Sequence, residues 1–167
     1  GDRDRVLLPL SFCRECGQEY YTVVRSDEDI LEPRSIGRPA EVDGTDGYLY
    51  VSADRPWPSE VDQIVDLVPE NWVEESASGE PRVKRNYRGQ LPEATTVSLG
   101  GVLGGGEFPA WFIPAPFRFC LCCGITYRGT QRSDHGKLAT LGSGGRSTAT
   151  TILSSAAVRS LLTESSV

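Results

Sequence analysis

Pro9-Leu-Ser-Phe12-Cys13-Arg-Glu-Cys16-Gly17-Gln-Glu-Tyr20 and Pro116-Phe-Arg-Phe119-Cys120-Leu-Cys-Cys123-Gly124-Ile-Thr-Tyr127 are two stretches of this chain that agree at all six numbered positions. We call them the first knuckle (residues 9–20) and the second knuckle (residues 116–127). Each contains Cys-x-x-Cys-Gly, a turn that places two sulfurs on one side of a tight loop. Its glycine adopts the positive φ of such a turn at little cost.

The two knuckles together supply the ligands of one closed metal site. A structural Zn²⁺ takes four ligands in a tetrahedron, and each knuckle offers only two thiolates. The sequence therefore predicts one structural Zn²⁺, with ligands Cys13, Cys16, Cys120 and Cys123. The alternatives are disulfides, buried free thiols and a thioredoxin-like redox motif. Disulfides need an oxidising compartment, and we expect no signal peptide here; a redox Cys-x-x-Cys normally occurs once.

Two further residues compete for a place in this site. Cys122 lies between two predicted ligands, and we interpret it as a non-ligand because Cys120 and Cys123 reproduce the spacing of the first knuckle. His135 is the only histidine, and no Glu-x-x-His pattern accompanies it, so we expect a surface loop residue. A catalytic zinc needs an open coordination position and a nearby base, which disfavours a zinc hydrolase or deaminase.

Composition predicts an α+β chain that is rich in strands and loops, with few helices. Eighteen glycines and eleven prolines in 167 residues suit such a chain. No stretch approaches the roughly 20 apolar residues of a membrane span, so we expect no membrane partner and a cytoplasmic location. Because the chain begins with Gly1 and has no methionine, we expect it to be part of a longer protein.

Charge is distributed unevenly around a net value of −6. Residues 26–80 carry fifteen acidic side chains and three basic ones, whereas residues 117–146 carry five basic side chains and one acidic one. Neutralisation of phosphates supplies much of the affinity for nucleic acid, so the basic stretch is the candidate contact, although a solvated surface explains it equally well. The candidate residues are Arg118, Arg128, Arg132, Lys137 and Arg146.

Four segments follow from these patterns. Residues 1–25 and 111–137 are predicted to form two zinc-knuckle β-hairpins that assemble into a zinc-ribbon-like module. Residues 26–110 read as a long acidic insertion rich in glycine and proline. Residues 138–167 are predicted to form a loop and a C-terminal helix over residues 148–162, capped by Ser147.

Within the insertion, β-branched and aromatic runs predict strands at residues 47–52, 82–87 and 95–99. Apolar spacing predicts a short helix over residues 60–68 with Ser59 as its cap. The glycine-rich run at residues 100–106 lacks the Gly-Lys-Ser/Thr ending of a phosphate-binding loop, so we interpret it as a flexible turn.

Two parts of the chain resemble a known family. Residues 10–20 and the tail Lys137-Leu-Ala-Thr-Leu-Gly-Ser-Gly-Gly-Arg146-Ser147-Thr148-Ala149-Thr150-Thr151 are similar to large bacterial superfamily-2 DEAD/DEAH-box helicases of the Lhr- and MrfA-like type. The resemblance implies a four-cysteine zinc region between two RecA-like domains, with DNA as the partner. It covers about residues 6–24 and 116–162, and residues 26–110 match nothing that we can name.

The resemblance also implies parts that this chain lacks. Such helicases bind ATP and Mg²⁺ through a Gly-Lys-Thr loop and an Asp-Glu-x-His motif, and neither occurs here. We therefore expect the 167 residues alone to be inactive and the parent protein to be an ATP-dependent helicase. The leading hypothesis is a structural zinc segment that orders the connection between motor domains. The alternative is a freestanding zinc-ribbon module that binds protein or RNA.

Overall fold

The computed structural model of the protein describes residues 5–141 and the backbone of Thr150–Thr151. One short α-helix, α1 (Val61–Val65), and eleven strands make up most of its regular structure. The strands are β1 (Leu7–Leu8), β2 (Leu10–Cys13), β3 (Glu19–Arg25), β4 (Leu31–Pro33), β5 (Thr45–Val51), β6 (Val73–Glu75), β7 (Pro81–Val83), β8 (Glu93–Val97), β9 (Phe108–Pro114), β10 (Leu138–Thr140) and β11 (Thr150–Thr151). The prediction of a strand-rich chain with few helices is confirmed.

A seven-stranded antiparallel sheet organises the described chain. Its order is β10-β2-β3-β5-β9-β8, and β4 pairs with the second half of β3. Consecutive residues of a strand point to opposite faces, so a strand buried on both faces reads as a continuous apolar run. Residues 48–50 and 110–113 are such runs, residues 20–24 form another that is interrupted only by Thr22, and all of them are buried.

Each face of the sheet carries its own core. Tyr48 and Tyr50 of β5 face a mainly aromatic core, which also contains the predicted ligands Cys13 and Cys120. Leu49, between them in β5, faces a smaller aliphatic core on the other side. The pleat of the strands therefore decides which side of the sheet carries the cysteine cluster.

Residues 26–110 are an integral part of this sheet, which corrects our interpretation of them as an insertion between two hairpins. β5 comes from this segment and lies between β3 and β9, the strands that lead out of the first knuckle and into the second. The same segment supplies Trp57 and Trp72, whose rings pack on Phe119 of the second knuckle. The backbone hydrogen bonds of β5 thus connect the strand that follows the first knuckle to the strand that precedes the second.

The predicted elements of this segment are found with shifted ends. The strand at residues 47–52 is β5, and the strand at residues 95–99 corresponds to β8. The helix is shorter than predicted, and its cap is Glu60 without a side-chain hydrogen bond, so the prediction of a Ser59 cap is wrong. The strand predicted at residues 82–87 ends at Val83, where β7 gives way to a 3₁₀ turn, Arg85–Gln90.

The glycine-rich run has a packing role that the prediction of a flexible turn missed. Gly101 has φ +80° and lies against Val6, and its carbonyl accepts a hydrogen bond from Leu31 N at 2.8 Å. A Cβ added to Gly106 would lie 1.7 Å from the carbonyl carbon of Val97. Glycine is therefore required at residue 106 because two backbone segments touch there.

Most of the predicted C-terminal helix, residues 148–162, lies outside the described residues. The exception is β11, which pairs antiparallel with β1, so the helix prediction is wrong for Thr150 and Thr151. No helix in the described part of the chain is long and apolar enough to cross a membrane.

Candidate metal centre

The two knuckles bring their four predicted ligands together. The Sγ atoms of Cys13, Cys16, Cys120 and Cys123 all lie within 4.8 Å of one another. Between the knuckles, the Sγ atoms of Cys13 and Cys123 are 3.8 Å apart, and those of Cys16 and Cys120 are 3.7 Å apart. A tetrahedral ion with Zn–S bonds of about 2.3 Å places its sulfurs about 3.8 Å apart. The four thiols could therefore hold a metal ion such as zinc.

The repeated sequence folds into a repeated backbone. In each knuckle, the amide of the first cysteine donates to the carbonyl five residues later, and the amide of the glycine donates back to that cysteine. Gly17 and Gly124 have φ +78° and +73°, as the Cys-x-x-Cys-Gly spacing predicts. The four bonds are Cys13 N to Gln18 O at 2.9 Å, Gly17 N to Cys13 O at 2.8 Å, Cys120 N to Ile125 O at 2.9 Å and Gly124 N to Cys120 O at 3.0 Å.

Only the first knuckle sits in a full hairpin. β2 and β3 pair over three residues around it, whereas the second knuckle closes with a single bridge between Phe119 and Thr126. The second strand of the hairpin predicted over residues 111–137 is therefore absent from the described chain. Aromatic packing supplies the support instead, because Phe119 touches two tryptophan rings and Phe117 meets Tyr20 and Tyr48 edge-on.

The four thiols differ in exposure. The first cysteine of each knuckle is enclosed, with Cys13 2% and Cys120 1% exposed, whereas Cys16 and Cys123 are exposed. Burial raises the pKa of the Cys120 thiol, although the Tyr20 hydroxyl and nearby backbone amides act in the opposite direction. One edge of the cluster thus faces the protein core, and the other faces solvent.

Tyr20 contacts the cluster directly. Its hydroxyl lies 3.2 Å from Cys120 Sγ and accepts a hydrogen bond from Leu121 N at 2.8 Å. Burial, followed by the neighbouring Cys120, raises the pKa of Tyr20 above its usual range, so the phenol keeps its proton. The sequence repeat places a tyrosine at this position, and it does not indicate the hydroxyl–sulfur contact.

The equivalent tyrosine of the second knuckle has different surroundings. The Tyr127 ring lies 5.6 Å from Lys137 Nζ, and the side chain is half-buried. Burial, with the charges of Cys13 and Glu15 next in size, raises the pKa of Tyr127 to about 12. The two knuckles therefore agree in backbone and differ in what their tyrosines contact.

Neither Cys122 nor His135 belongs to the four-thiol cluster. The exposed Cys122 accepts a hydrogen bond from Arg55 Nη1 at 3.2 Å, beside the cluster. The His135 side chain is exposed and packs over Gly37, where a Cβ would lie 2.2 Å from Nε2.

A buried ion pair joins the segment after the second knuckle to the core. Lys137 Nζ lies 2.9 Å from Asp134 Oδ1 and donates to Phe117 O at 2.7 Å. The Asp134 carboxylate accepts from Phe117 N at 3.0 Å and from the Tyr48 hydroxyl at 2.5 Å. Lys137 is 1% exposed and cannot reach a bound phosphate, so its prediction as a nucleic-acid contact is wrong.

The same segment also reaches the first knuckle. Arg14 N donates to Lys137 O at 3.2 Å, and the Arg14 guanidinium donates to His135 O at 3.1 and 2.8 Å. β10, which begins at the next residue, pairs with β2. Residues 134–138 thus connect the backbones of both knuckles, a link that no local sequence pattern indicates.

The other predicted nucleic-acid contacts lie in different surroundings. Arg128 and Arg132 are exposed on the loop that follows the second knuckle. Arg118 is half-buried, and its Nε is enclosed without a hydrogen-bond partner in the part of the chain that the structure describes. Arg146 lies outside the described residues. Only Arg128 and Arg132 are therefore free surface cations among the described candidates.

Comparisons with models of protein families, with curated proteins and with solved structures give no match for this chain.

Proposed function

We propose that this chain is a structural zinc module, a zinc-ribbon-like unit in which one Zn²⁺ joins the two knuckles. The observation that carries the proposal is the set of four cysteine sulfurs within 4.8 Å, with spacings between the knuckles of 3.7 and 3.8 Å. Four thiolates in a tetrahedron favour zinc or iron among biological metals. Because all four positions are filled by protein sulfurs, the metal has no open position for a substrate or a catalytic water.

The role of the ion is then structural, because it crosslinks the two knuckles. Cys13 and Cys16 belong to the first knuckle, and Cys120 and Cys123 belong to the second, more than a hundred residues later. An ion bound by both knuckles crosslinks them on the aromatic side of the sheet and holds the exposed parts of the two turns together. Binding supplies folding free energy because the unfolded chain does not hold the four thiolates in place.

Titration of the metal-free protein with Co²⁺ tests this proposal. We expect one ion per chain, with the intense sulfur-to-cobalt absorption and the visible bands of tetrahedral thiolate coordination. Zinc should displace the cobalt stoichiometrically, and elemental analysis of the purified protein should return about one zinc per chain. Octahedral cobalt spectra, or an iron chromophore in the purified protein, would contradict the proposal.

We further propose that the module serves a larger nucleic-acid motor, where it orders the connection between RecA-like domains. The support is the resemblance of residues 10–20 and 137–151 to superfamily-2 helicases, together with the exposed cations Arg128 and Arg132. The freestanding module that binds protein or RNA stays the alternative. Neither role gives the 167 residues an ATP site of their own.

The surrounding reading frame separates these roles. Both roles predict no ATP hydrolysis from the isolated chain, whereas only the motor role predicts an open reading frame that encodes a phosphate-binding loop before these residues and an arginine-bearing helicase motif after them. If the basic loop contacts DNA, replacing both Arg128 and Arg132 by alanine should lower the slope of the salt dependence of binding by about one unit for each arginine that neutralises a phosphate. Full ATPase activity in the isolated chain would contradict the motor proposal.

A further inference from the structure

Cys120 is the most enclosed thiol of the cluster, and hydrogen-bond donors of the protein approach its sulfur. The Tyr20 hydroxyl lies 3.2 Å from Cys120 Sγ, and Cys122 N donates to the same sulfur at 3.4 Å. Tyr20 is fully buried, and its ring is held by contacts with Tyr50 and Phe117. The hydroxyl therefore has a fixed position relative to the sulfur.

The direction of the Tyr20 hydrogen bond follows from the chemistry of its partners. A metal-bound cysteine has lost its proton and can only accept, so the hydroxyl must be the donor. Leu121 N already donates to the hydroxyl oxygen at 2.8 Å, which leaves the O–H proton free to point at sulfur. The Leu121 amide thus orients the Tyr20 hydroxyl so that its proton points at Cys120 Sγ.

The hydrogen bond from the Tyr20 hydroxyl to Cys120 Sγ stabilises the centre because a metal site with four thiolates carries a net negative charge. Four thiolates around one Zn²⁺ leave two negative charges, and a buried charge is costly unless hydrogen bonds compensate it. Cys16 and Cys123 face solvent, which supplies that compensation, whereas Cys120 is closed to water. Protein donors must therefore replace water at this sulfur.

We propose that Tyr20 is a positioning residue of the metal centre, whose hydroxyl donates to Cys120 Sγ and makes Cys120 the anchoring thiolate. The proposal rests on the proposed function, since it requires a metal on these four sulfurs. Tyr20 and Tyr127 occupy equivalent positions in the repeated sequence, and the proposal gives only Tyr20 a role at the metal centre. Tyr127 stands at the matching position of the second knuckle and turns its ring to the Lys137 ammonium.

Paired variants of the full chain, Tyr20→Phe and Tyr127→Phe, test this assignment. Each removes one hydroxyl and keeps the ring, so the two are matched in chemistry and in position within the repeat. Removal of an outer hydrogen-bond partner typically weakens metal binding about 10- to 100-fold, and we expect a decrease in this range for Tyr20→Phe, measured by competition of Co²⁺ against a chelator. Tyr127→Phe should retain the affinity of the wild type.

A spectroscopic readout separates positioning from general destabilisation. Removal of a donor raises the electron density on sulfur, so the sulfur-to-cobalt absorption of Tyr20→Phe should shift to lower energy, and that of Tyr127→Phe should not. If the wild type binds no cobalt, the proposed function itself fails. If all three proteins bind cobalt with the same affinity and spectrum, the proposal for Tyr20 is overturned and the zinc module stands.

The wild type provides a second test that does not depend on how the variant folds. In protein loaded with NMR-active cadmium, a hydrogen bond from the Tyr20 hydroxyl to Cys120 Sγ should produce a scalar coupling between that proton and the metal. Its absence, in a protein whose cysteine protons couple to cadmium, would overturn the proposal.

Discussion

Cys120→Ser should abolish metal binding and lower the stability of the fold. The substitution removes an enclosed thiol, the proposed ligand, that lies in the aromatic core and contacts both Cys16 and Tyr20. Structural zinc contributes an apparent binding free energy of about 10–16 kcal/mol in small zinc peptides, where binding and folding are one event. This chain has further cores, so we expect part of that effect, a decrease of at least about 3 kcal/mol in the free energy of unfolding.

Thermal unfolding followed by circular dichroism, with elemental analysis of the same samples, measures both effects. For a domain of this size, a decrease of that order lowers the midpoint temperature by about 10 °C. A strong chelator should have the same effect on the wild type and little further effect on the variant.

Cys122→Ser is the matched control, because it makes the same chemical change two residues away, in the same turn. Cys122 lies outside the four-thiol cluster and is exposed, so we expect full metal content and an unchanged midpoint. Retention of one zinc by Cys120→Ser, together with its absence from Cys122→Ser, would show that the ligand set is wrong.

Asp134→Ala should be the most damaging change outside the cysteines. It removes the carboxylate that pairs with Lys137 and accepts from Tyr48 and from Phe117 N, and all three donors are buried. Removal of one partner of a buried ion pair costs about 3–5 kcal/mol because an uncompensated charge remains. We expect a fall of this size in the free energy of unfolding, measured by denaturant titration of the metal-loaded protein.

Two comparisons sharpen the test of the buried pair. Glu74→Ala breaks the exposed ion pair with Arg82 and should cost about 0–1 kcal/mol. The double variant Asp134→Leu with Lys137→Met removes both charges and should recover part of the stability, because apolar groups tolerate burial. Equal stabilities for Asp134→Ala and Glu74→Ala would contradict the role assigned to the buried pair.

The effect of Asp134→Ala should extend to the metal centre. Residues 134–138 contact the second knuckle through Lys137 Nζ and the first knuckle through Lys137 O. When the loss of Asp134 frees this segment, the cysteine pairs of the two knuckles lose one of the contacts that hold them together. Weaker metal binding in Asp134→Ala, with all four cysteines intact, would reveal this link.

The local features of the centre could be predicted from sequence because short-range rules decide them. The Cys-x-x-Cys-Gly spacing determines a turn, and Gly17 and Gly124 both adopt the positive φ that this turn requires. The strand character of β3, β5 and β9 follows from runs of β-branched and aromatic residues. The position at which a strand ends depends on packing against neighbouring elements, and for this reason β7 ends earlier than predicted.

The repeated motif by itself determined that two turns of the same form exist, each with two thiols, and that together they suit one tetrahedral ion. Only the tertiary structure decided that residues 26–110 place a strand between the knuckles, that Lys137 is buried and that Tyr20 meets Cys120. The physical reason is that these contacts join residues some twenty to a hundred positions apart. They depend on the pairing order of strands and on which face of the pleat a side chain occupies, and no local spacing encodes either.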